Sequence, residues 1–252
     1  MRPLLFWTIA SVVLIYDIAV MAFDEIHLKR FKNKNICAKC DLSNSNFNKA
    51  DLRQANLNHA NLKKSILRFT DFRDATLEKA SLREADLSGA KLQQANLKNA
   101  DLEKTTLQYA NLSSANLEGA NFSKADLTGA NVALANLSGA NFVQANLVKT
   151  NLKGAKMSGV NLLEANLIKA NLKEANLNGA NLLKANLIKA NLSGANLSHA
   201  IFKRSTLDEV NLTGADLTQT DFSSASMKTV SFYGAKLCRT KMPWGVENPL
   251  CE

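Results

Sequence analysis

The chain has 252 residues, of which 46% are hydrophobic, only 6% are aromatic and three are proline. Its formal charge of +9 favours nucleic acid, an anionic membrane or an acidic protein as a partner. The composition is rich in Leu, Ala and Asn, and such low complexity also occurs in disordered segments. Disordered segments lack a regularly spaced apolar position, however, and this chain has one, so disorder is excluded for most of it.

The N-terminus has the pattern of a secretory signal peptide. Arg2 gives a positive start, and residues 4–16 form a largely apolar stretch. This stretch is shorter than the roughly 20 residues that span a bilayer, but it suits the core of a signal peptide. Val20 and Ala22 are small residues at the two positions that define a cleavage site after Ala22. We therefore predict a signal peptide over residues 1–22.

Asp17 interrupts the apolar stretch and leaves a second interpretation open. In that interpretation the segment is not cleaved, and residues 4–22 anchor the protein to a membrane. Both interpretations predict that the rest of the chain is exported, to the periplasm or beyond. Residues 24–33 have the pattern of a short amphipathic helix, and we assign residues 23–39 to an N-terminal cap.

From Leu42 to Met242 every fifth residue is Leu, Phe, Val or Met, and the register never slips. A small residue, most often Ala, stands two positions earlier, usually with Asn or Asp between them. On an α-helix a period of five would spread the apolar residues over every face, and on a flat strand it would alternate them between faces. The pattern fits three extended residues followed by a two-residue corner. Repeated corners wind the chain into a tube with Leu and Ala inside.

A weaker period of twenty residues gives the number of sides. Glycines and pairs of phenylalanines recur at this interval: Gly119, Gly139, Gly159 and Gly179, Phe122 with Phe142, and Phe202 with Phe222. Twenty residues are four repeats, so each coil is predicted to have four sides. Neighbouring coils would stack at about 4.8 Å, with backbone hydrogen bonds between them.

The run resembles the pentapeptide repeat family, whose consensus is A(N/D)LXX, and the resemblance covers residues 40–244. It implies an all-β fold, a right-handed, four-sided (quadrilateral) β-helix solenoid of about ten coils, on the order of 50 Å long at strand spacing. We assign this β-helix to residues 40–242. Glycine suits a positive φ at the second corner residue, so the column from Gly119 to Gly179 predicts type II turns on that side.

A tube of stacked coils leaves apolar side chains and unpaired backbone at each end, so solenoids need caps. We assign residues 243–252, which contain Trp244 and Leu250, to a C-terminal cap. Four cysteines lie near the two ends of the repeat: Cys37, Cys40, Cys238 and Cys251.

The two cysteine pairs would lie roughly 50 Å apart, which excludes a single four-cysteine metal site in a monomer. In an oxidising compartment we expect the disulfides Cys37–Cys40 and Cys238–Cys251, each fixing a cap. The sequences around them also resemble the cap segments of exported bacterial pentapeptide repeat proteins. An alternative for Cys37 and Cys40 is a redox pair, but such pairs belong to a βαβ fold rather than to the start of a solenoid.

No group of residues has the pattern of an active site. The histidines are isolated, the aspartates of the repeat are spread along the tube, and the corner serines have no adjacent base. We therefore expect no enzymatic activity, no cofactor and no metal.

One block of corner residues is apolar, although corners are otherwise mostly polar or glycine. Six aliphatic residues lie at two neighbouring corners on three successive coils: Val143, Leu163 and Leu183, and Val148, Ile168 and Ile188. Beside them stands a like-charged column: Lys149, Lys169 and Lys189. We name these nine residues the corner patch and predict that it binds another protein or a second copy of the chain, as a homodimer. The alternative is that duplication of one coil copied an innocuous pair of side chains.

Together these features predict a non-enzymatic structural or protein-interaction rod of the bacterial cell envelope. Family members that protect DNA gyrase by mimicking DNA need an acidic rod, whereas this chain is basic and has an export signal. Direct DNA binding would need interleaved aromatic residues and the cytoplasm, so no nucleic-acid partner is expected. A membrane contact is expected only through an uncleaved N-terminal segment. A role as a secreted effector stays open.

Overall fold

The computed structural model describes residues 36–247 and residue 251. In this range the chain forms a four-sided tube. Parallel bridges join each ladder residue to the one twenty positions later, from Ile36 with Asn56 to Asp221 with Lys241. Each coil therefore contains four five-residue repeats, as the twenty-residue period predicts.

Two short strands lie at the C-terminal end of the tube. Strand β1 (Thr240–Met242) and strand β2 (Gly245–Glu247) pair in antiparallel orientation. The described residues contain no helix, and accordingly none that is long and apolar enough to cross a membrane. The predicted signal peptide (1–22) and the predicted helix (24–33) lie outside the described residues.

Hydrogen bonds between coils use three of the five backbone N–H groups in a repeat. In the repeat at residues 135–139 these bonds are Asn136 N to Ala115 O at 2.9 Å, Leu137 N to Lys156 O at 2.6 Å and Gly139 N to Ser158 O at 2.9 Å. The first runs back to the preceding coil, and the other two run forward to the next. Both neighbouring coils are thus needed to satisfy the backbone of a repeat.

The other two N–H groups of this repeat are satisfied locally. Ala135 N donates to Val132 O at 3.3 Å, which closes the corner before it. Ser138 N, at the next corner, donates to Asn136 Oδ1 at 3.2 Å. A side-chain oxygen of Asn or Asp thus takes the place of a backbone acceptor, which explains why these two residue types dominate this position.

The second residue of every described corner has a positive φ. From Lys39 to Arg239 the values at this position lie between 53° and 67°. The positive φ predicted for the column from Gly119 to Gly179 is confirmed. The prediction covered only one side of the tube, whereas the second corner residue has a positive φ on all four sides. Non-glycine residues occupy most of these corners, although this conformation costs each of them about 1 kcal/mol. The bonds to the next coil offset that cost.

The interior is filled by the Leu and Ala positions of the repeat. Leu117, in the middle of the tube, is 0% exposed. Where Phe replaces Leu on successive coils the rings stack, and the ring centroids of Phe122 and Phe142 are 4.6 Å apart. At most positions where Thr replaces Ala its buried hydroxyl donates to a carbonyl of the preceding coil, as Thr150 Oγ1 does to Leu127 O at 2.8 Å. Thr105 Oγ1 instead donates to Leu102 O on its own coil at 2.7 Å. The core thus admits a polar group where a backbone acceptor faces it.

The two ends of the described tube differ in burial. At the Leu position of the repeat, residues of the first coil are at most 4% exposed, whereas three of those in the last coil are only partly buried: Leu42, Phe47 and Leu52 in the first, Met227, Phe232 and Leu237 in the last. Trp244, which the sequence assigns to the C-terminal cap, is 64% exposed in the loop between β1 and β2. Its Nε1 donates to Glu247 Oε1 at 3.0 Å. Leu250 lies outside the described residues, and the capping role of residues 243–252 stays a prediction.

Candidate functional site

The structure places the corner patch on three successive coils. At its first corner Gln144 N donates to Leu163 O at 2.9 Å and Glu164 N donates to Leu183 O at 3.0 Å, so Val143, Leu163 and Leu183 stack in register. Equivalent bonds at the next corner stack the other three aliphatic residues: Val148, Ile168 and Ile188. All six are partly buried rather than fully exposed. This is the burial that side chains stacked at about 4.8 Å would produce.

Polar residues separate the two aliphatic stripes of the corner patch. Around each coil the chain passes from Val143 through the exposed Gln144 and the half-buried Asn146 before it reaches Val148. The same order recurs on the next two coils. The patch therefore consists of two parallel stripes of three side chains, one at each of its two neighbouring corners.

The lysines of the patch are exposed and differ in their ion pairs. Lys189 Nζ lies 3.4 Å from Glu209 Oε1, whereas Lys149 and Lys169 have no carboxylate within 4 Å among the described residues. At the first corner Gln144 and Lys184 donate hydrogen bonds to Glu164, and both lower the pKa of that carboxyl. The outer edge of the patch is therefore positive, and two of its lysines are available to an anionic group.

The two disulfides expected from the sequence are present. Cys37 and Cys40 are bonded with their Cα atoms 5.3 Å apart, and Cys238 and Cys251 with theirs 5.1 Å apart. Each bond lies at one end of the described tube. Within residues 36–247 and at residue 251, no group of three or more His, Cys, Asp or Glu side chains is arranged to hold a metal ion.

A column of Arg–Asp pairs near the N-terminal end was not recognised in the sequence. Arg53 donates to both carboxylate oxygens of Asp51, at 2.8 and 2.6 Å, and lowers the pKa of that carboxyl to about 2. Arg73 binds Asp71 in the same way one coil later and also lowers its pKa. The recurrence of Asp and Arg two positions apart, in Asp-Leu-Arg at residues 51–53 and Asp-Phe-Arg at residues 71–73, was the available signal. Because the arginine and the aspartate of each pair neutralise each other, the column leaves little free charge for a partner.

Exposed aromatic residues at one corner were also not recognised. Phe69 is 51% exposed and Tyr109 is 73% exposed, and both occupy the second residue of the same corner, two coils apart. A glycine follows each of them on the next coil: Gly89 and Gly129. The alternation of aromatic and glycine at twenty-residue steps was the signal in the sequence.

Models of pentapeptide repeats match almost the whole described chain. One, a pentapeptide repeat region, matches residues 35–107. The other, pentapeptide repeats, matches with eight copies in all, over the ranges 95–132, 125–163, 135–173, 165–204 and 205–242. The chain belongs to the pentapeptide repeat family. The right-handed, four-sided β-helix that this family implies agrees with the twenty-residue bridges.

Several solved structures of pentapeptide repeat proteins resemble the chain. HetL, involved in heterocyst differentiation regulation in the cyanobacterium Nostoc sp. strain PCC 7120, is 31% identical, with 86% of this chain and 96% of HetL covered and a TM-score of 0.33. Full-length QnrB1, a plasmid-mediated fluoroquinolone resistance protein, is 17% identical, with 78% and 92% covered and a TM-score of 0.51. The likeness to QnrB1 shows the fold alone.

A third structure is a pentapeptide repeat protein from the thylakoid lumen of Arabidopsis thaliana. It is 35% identical over 41% of this chain and 68% of its own, with a TM-score of 0.29. Among curated proteins the chain has no match.

Proposed function

We propose that this pentapeptide repeat protein is a non-enzymatic rod of about ten coils in the bacterial cell envelope, which binds another protein or a second copy of itself through the corner patch. The observation that carries the proposal is the pair of aliphatic stripes beside exposed lysines on three successive coils. These side chains are not needed to fill the tube, because the inward Leu and Ala positions already do so.

The disulfides support a place in the envelope. Disulfides persist in oxidising compartments and are rare in the cytosol, and this chain has one at each end of the tube. The apolar N-terminal segment of the sequence supports the same compartment.

The stripes also suggest the kind of partner. They run along the rod, so they fit an extended surface better than a small ligand. Lys149 and Lys169 favour a partner with acidic residues opposite the second stripe. Binding along the rod would leave both ends of the tube free.

A gyrase-directed role is the alternative, and it is weaker. QnrB1, a plasmid-mediated fluoroquinolone resistance protein, shares only the fold with this chain, at 17% identity. A protein that mimics DNA needs a negative surface, and this chain has a formal charge of +9.

The compartment is tested by intact mass of the protein from an envelope fraction, measured before and after reduction and alkylation. The expected species begins at Phe23 and gains four alkyl groups only after reduction, because all four cysteines are oxidised. A full-length chain with four free thiols would reject the envelope proposal and reopen the gyrase alternative.

The corner patch is tested with the double variant Leu163→Glu/Ile168→Glu, which puts one charge on each stripe. Its matched control is Ser193→Glu/Ser198→Glu, which puts the same charges on the other two corners of the next coil. Self-association is followed by sedimentation equilibrium, and partner contact by photocrosslinking in the envelope from position 183. We expect the patch variant to lose association while the control keeps it. If the two variants behave alike in both measurements, the corner patch is not the interface.

A further inference from the structure

Phe69 and Tyr109 form a regular feature on the outside of the tube. They occupy one corner on coils two apart, and the corners between and after them are Gly89 and Gly129. Aromatic residues and glycines therefore alternate along this corner over four successive coils. Neither ring contributes to the core, since the inward positions nearby are filled by Leu67 and other buried residues.

Each ring leans onto the glycine that follows it. A Cβ at Gly89 would lie 2.5 Å from both Cδ1 and Cε1 of Phe69, and a Cβ at Gly129 would lie 2.8 Å from the same two atoms of Tyr109. One ring edge thus fills the space that the missing side chain leaves. Because both rings lean in the same way, they are related by a shift of two coils, roughly 10 Å at strand spacing.

The surface between the two rings is polar and nearly neutral. Gly89 adds no side chain there, and the adjacent first corner positions carry Ser88 and Gln108. Arg68, beside the first ring, has its Nε 3.7 Å from Asp86 Oδ2 and its Cζ 5.9 Å from the centroid of the Phe69 ring. Its charge is therefore already paired with a carboxylate. A single-stranded nucleic acid would need a positively charged groove along its backbone in addition to the stacking rings. This corner offers two separate rings, and between them Ser88 Oγ donates to Asp86 Oδ1 and Gln108 Nε2 donates to Asp126 Oδ2. The oxygens of Ser88 and Gln108 can still accept hydrogen bonds from the hydroxyls of a ligand.

We propose that this corner binds an extended β-1,4-linked polysaccharide. In such a chain each sugar is turned over relative to the next, so the same apolar face of C–H groups recurs at every second sugar. That repeat is close to the height of two coils. Phe69 and Tyr109 would each stack on the same face of alternate sugars, and the polar groups between them would bind the hydroxyls of the intervening sugar. At the same corner of the tube the second stripe of the corner patch begins one coil beyond Gly129, whose N donates to Val148 O at 2.9 Å. The present proposal rests on the two rings and does not depend on the protein-binding proposal.

The first experiment titrates the purified protein with cellohexaose and with chitohexaose by calorimetry, together with the variants Phe69→Ala and Tyr109→Ala. Each variant should bind at least about tenfold more weakly than the parent, because each removes one stacking ring. The control is Tyr233→Ala, which removes a tyrosine that is 83% exposed on the last coil, and it should bind like the parent. Unchanged thermal melting would show that the rings were lost without loss of the fold.

The second experiment changes the spacing and keeps both rings. The double variant Tyr109→Gly/Gly129→Tyr moves the second ring to a coil three away from Phe69. Tyrosine already adopts the required positive φ at position 109, and a third change, Lys149→Gly, gives the relocated ring a glycine on the next coil onto which it can lean. Three coils correspond to one and a half disaccharides, and this variant should lose binding as fully as Tyr109→Ala does.

Three results would overturn the proposal. The first is a parent protein that binds neither hexasaccharide at millimolar concentration, and the second is a relocated variant that binds as well as the parent. The third is a corner that binds a single-stranded oligonucleotide such as dT12 but no sugar, which would assign the rings to nucleic acid instead.

Discussion

The coils in the middle of the rod and the last described coil are built from the same repeat, but they bury it to different degrees. Leu117, in a middle coil, is 0% exposed, and its N–H donates to Asn136 O on the next coil at 2.7 Å. Leu237 occupies the same inward position in the last coil and is only partly buried. Because the side chain is the same, the difference in burial comes from the following coil, which covers Leu117 and which Leu237 lacks within the described residues.

The side chains that close the corners differ between the two regions as well. In most repeats of the middle coils Asn or Asp accepts a hydrogen bond from the corner N–H, as Asn136 does from Ser138. In the last coil Ser231 and Lys236 stand at this position. A repeat is therefore stable because of its two flanking coils and its own corner acceptor, and the last coil is poorer in both.

The largest expected effect is that of a charge placed at an inward position. Leu167→Glu buries a carboxylate in the middle of the tube, where Leu167 is 0% exposed, and should destabilise the fold by several kcal/mol. Leu237→Glu, at the partly buried end, should cost only about 1 kcal/mol. Urea unfolding followed by circular dichroism measures both. Equal losses would show that the last coil is as tightly packed as the middle ones.

Removal of a disulfide should have the next largest effect, and it should be local. Cys238→Ser/Cys251→Ser opens a link between residues 13 apart in sequence and should destabilise the last coil by about 3 kcal/mol. Cys37→Ser/Cys40→Ser opens a link between residues only three apart, so its effect should be smaller. Hydrogen exchange read by mass spectrometry would show faster exchange near the altered end and unchanged exchange in the middle. Faster exchange throughout the rod would contradict local stabilisation.

Corner acceptors should contribute about 1 kcal/mol each. Asn136→Ala removes the acceptor of Ser138 N and should destabilise the rod by about that amount, whereas Asn136→Asp keeps the acceptor and should have less effect. The reverse change, Ser231→Asn, supplies an acceptor for the N–H of Tyr233 in the last coil and should slow hydrogen exchange there. If hydrogen exchange in the last coil does not slow, the lack of a following coil within the described residues is enough to explain its faster exchange.

The smallest expected effect is a dependence on acid. Burial opposes ionisation of Asp126, but hydrogen bonds from Thr128, Gln108 and Asn146 outweigh it and hold the pKa below the ordinary value of 3.8. A lowered pKa in the folded state contributes stability above pH 3.8, and this contribution is lost as the pH falls through the folded value. Unfolding midpoints measured between pH 5 and pH 2 should therefore fall less steeply in Asp126→Asn than in the parent. Parallel curves would assign the acid sensitivity to other carboxylates.

The sequence was sufficient to predict the features that repeat. The inward Leu and Ala positions, the four sides and the cysteine pairs all follow from spacing, because a solenoid converts spacing along the chain directly into position. The role of Asn136 could not be predicted in this way. It depends on which corner N–H lacks a backbone partner, and only the completed hydrogen-bond pattern shows that.

The candidate surfaces were predicted less completely for a related reason. Spacing shows that Val143 and Val148 lie at neighbouring corners of one coil, but it does not show that each side chain is partly buried by its neighbours. The way in which Tyr109 leans onto the next coil depends on the direction of its side chain, which no count of residues provides. Outward positions are constrained by their neighbours in space more than by the repeat.

Because each ladder residue bridges to the one twenty positions later, position in the sequence determines both the height of a residue along the rod and its direction around the rod. Insertion of a whole coil would move everything beyond it along the axis by about 4.8 Å and would keep every side chain pointing in its original direction. Insertion of a single repeat would instead turn everything beyond it by a quarter of a revolution, so stripes and rings on the two sides of the insertion would no longer face the same partner. Length in this protein can therefore change in steps of twenty residues without scrambling its surface, but not in steps of five.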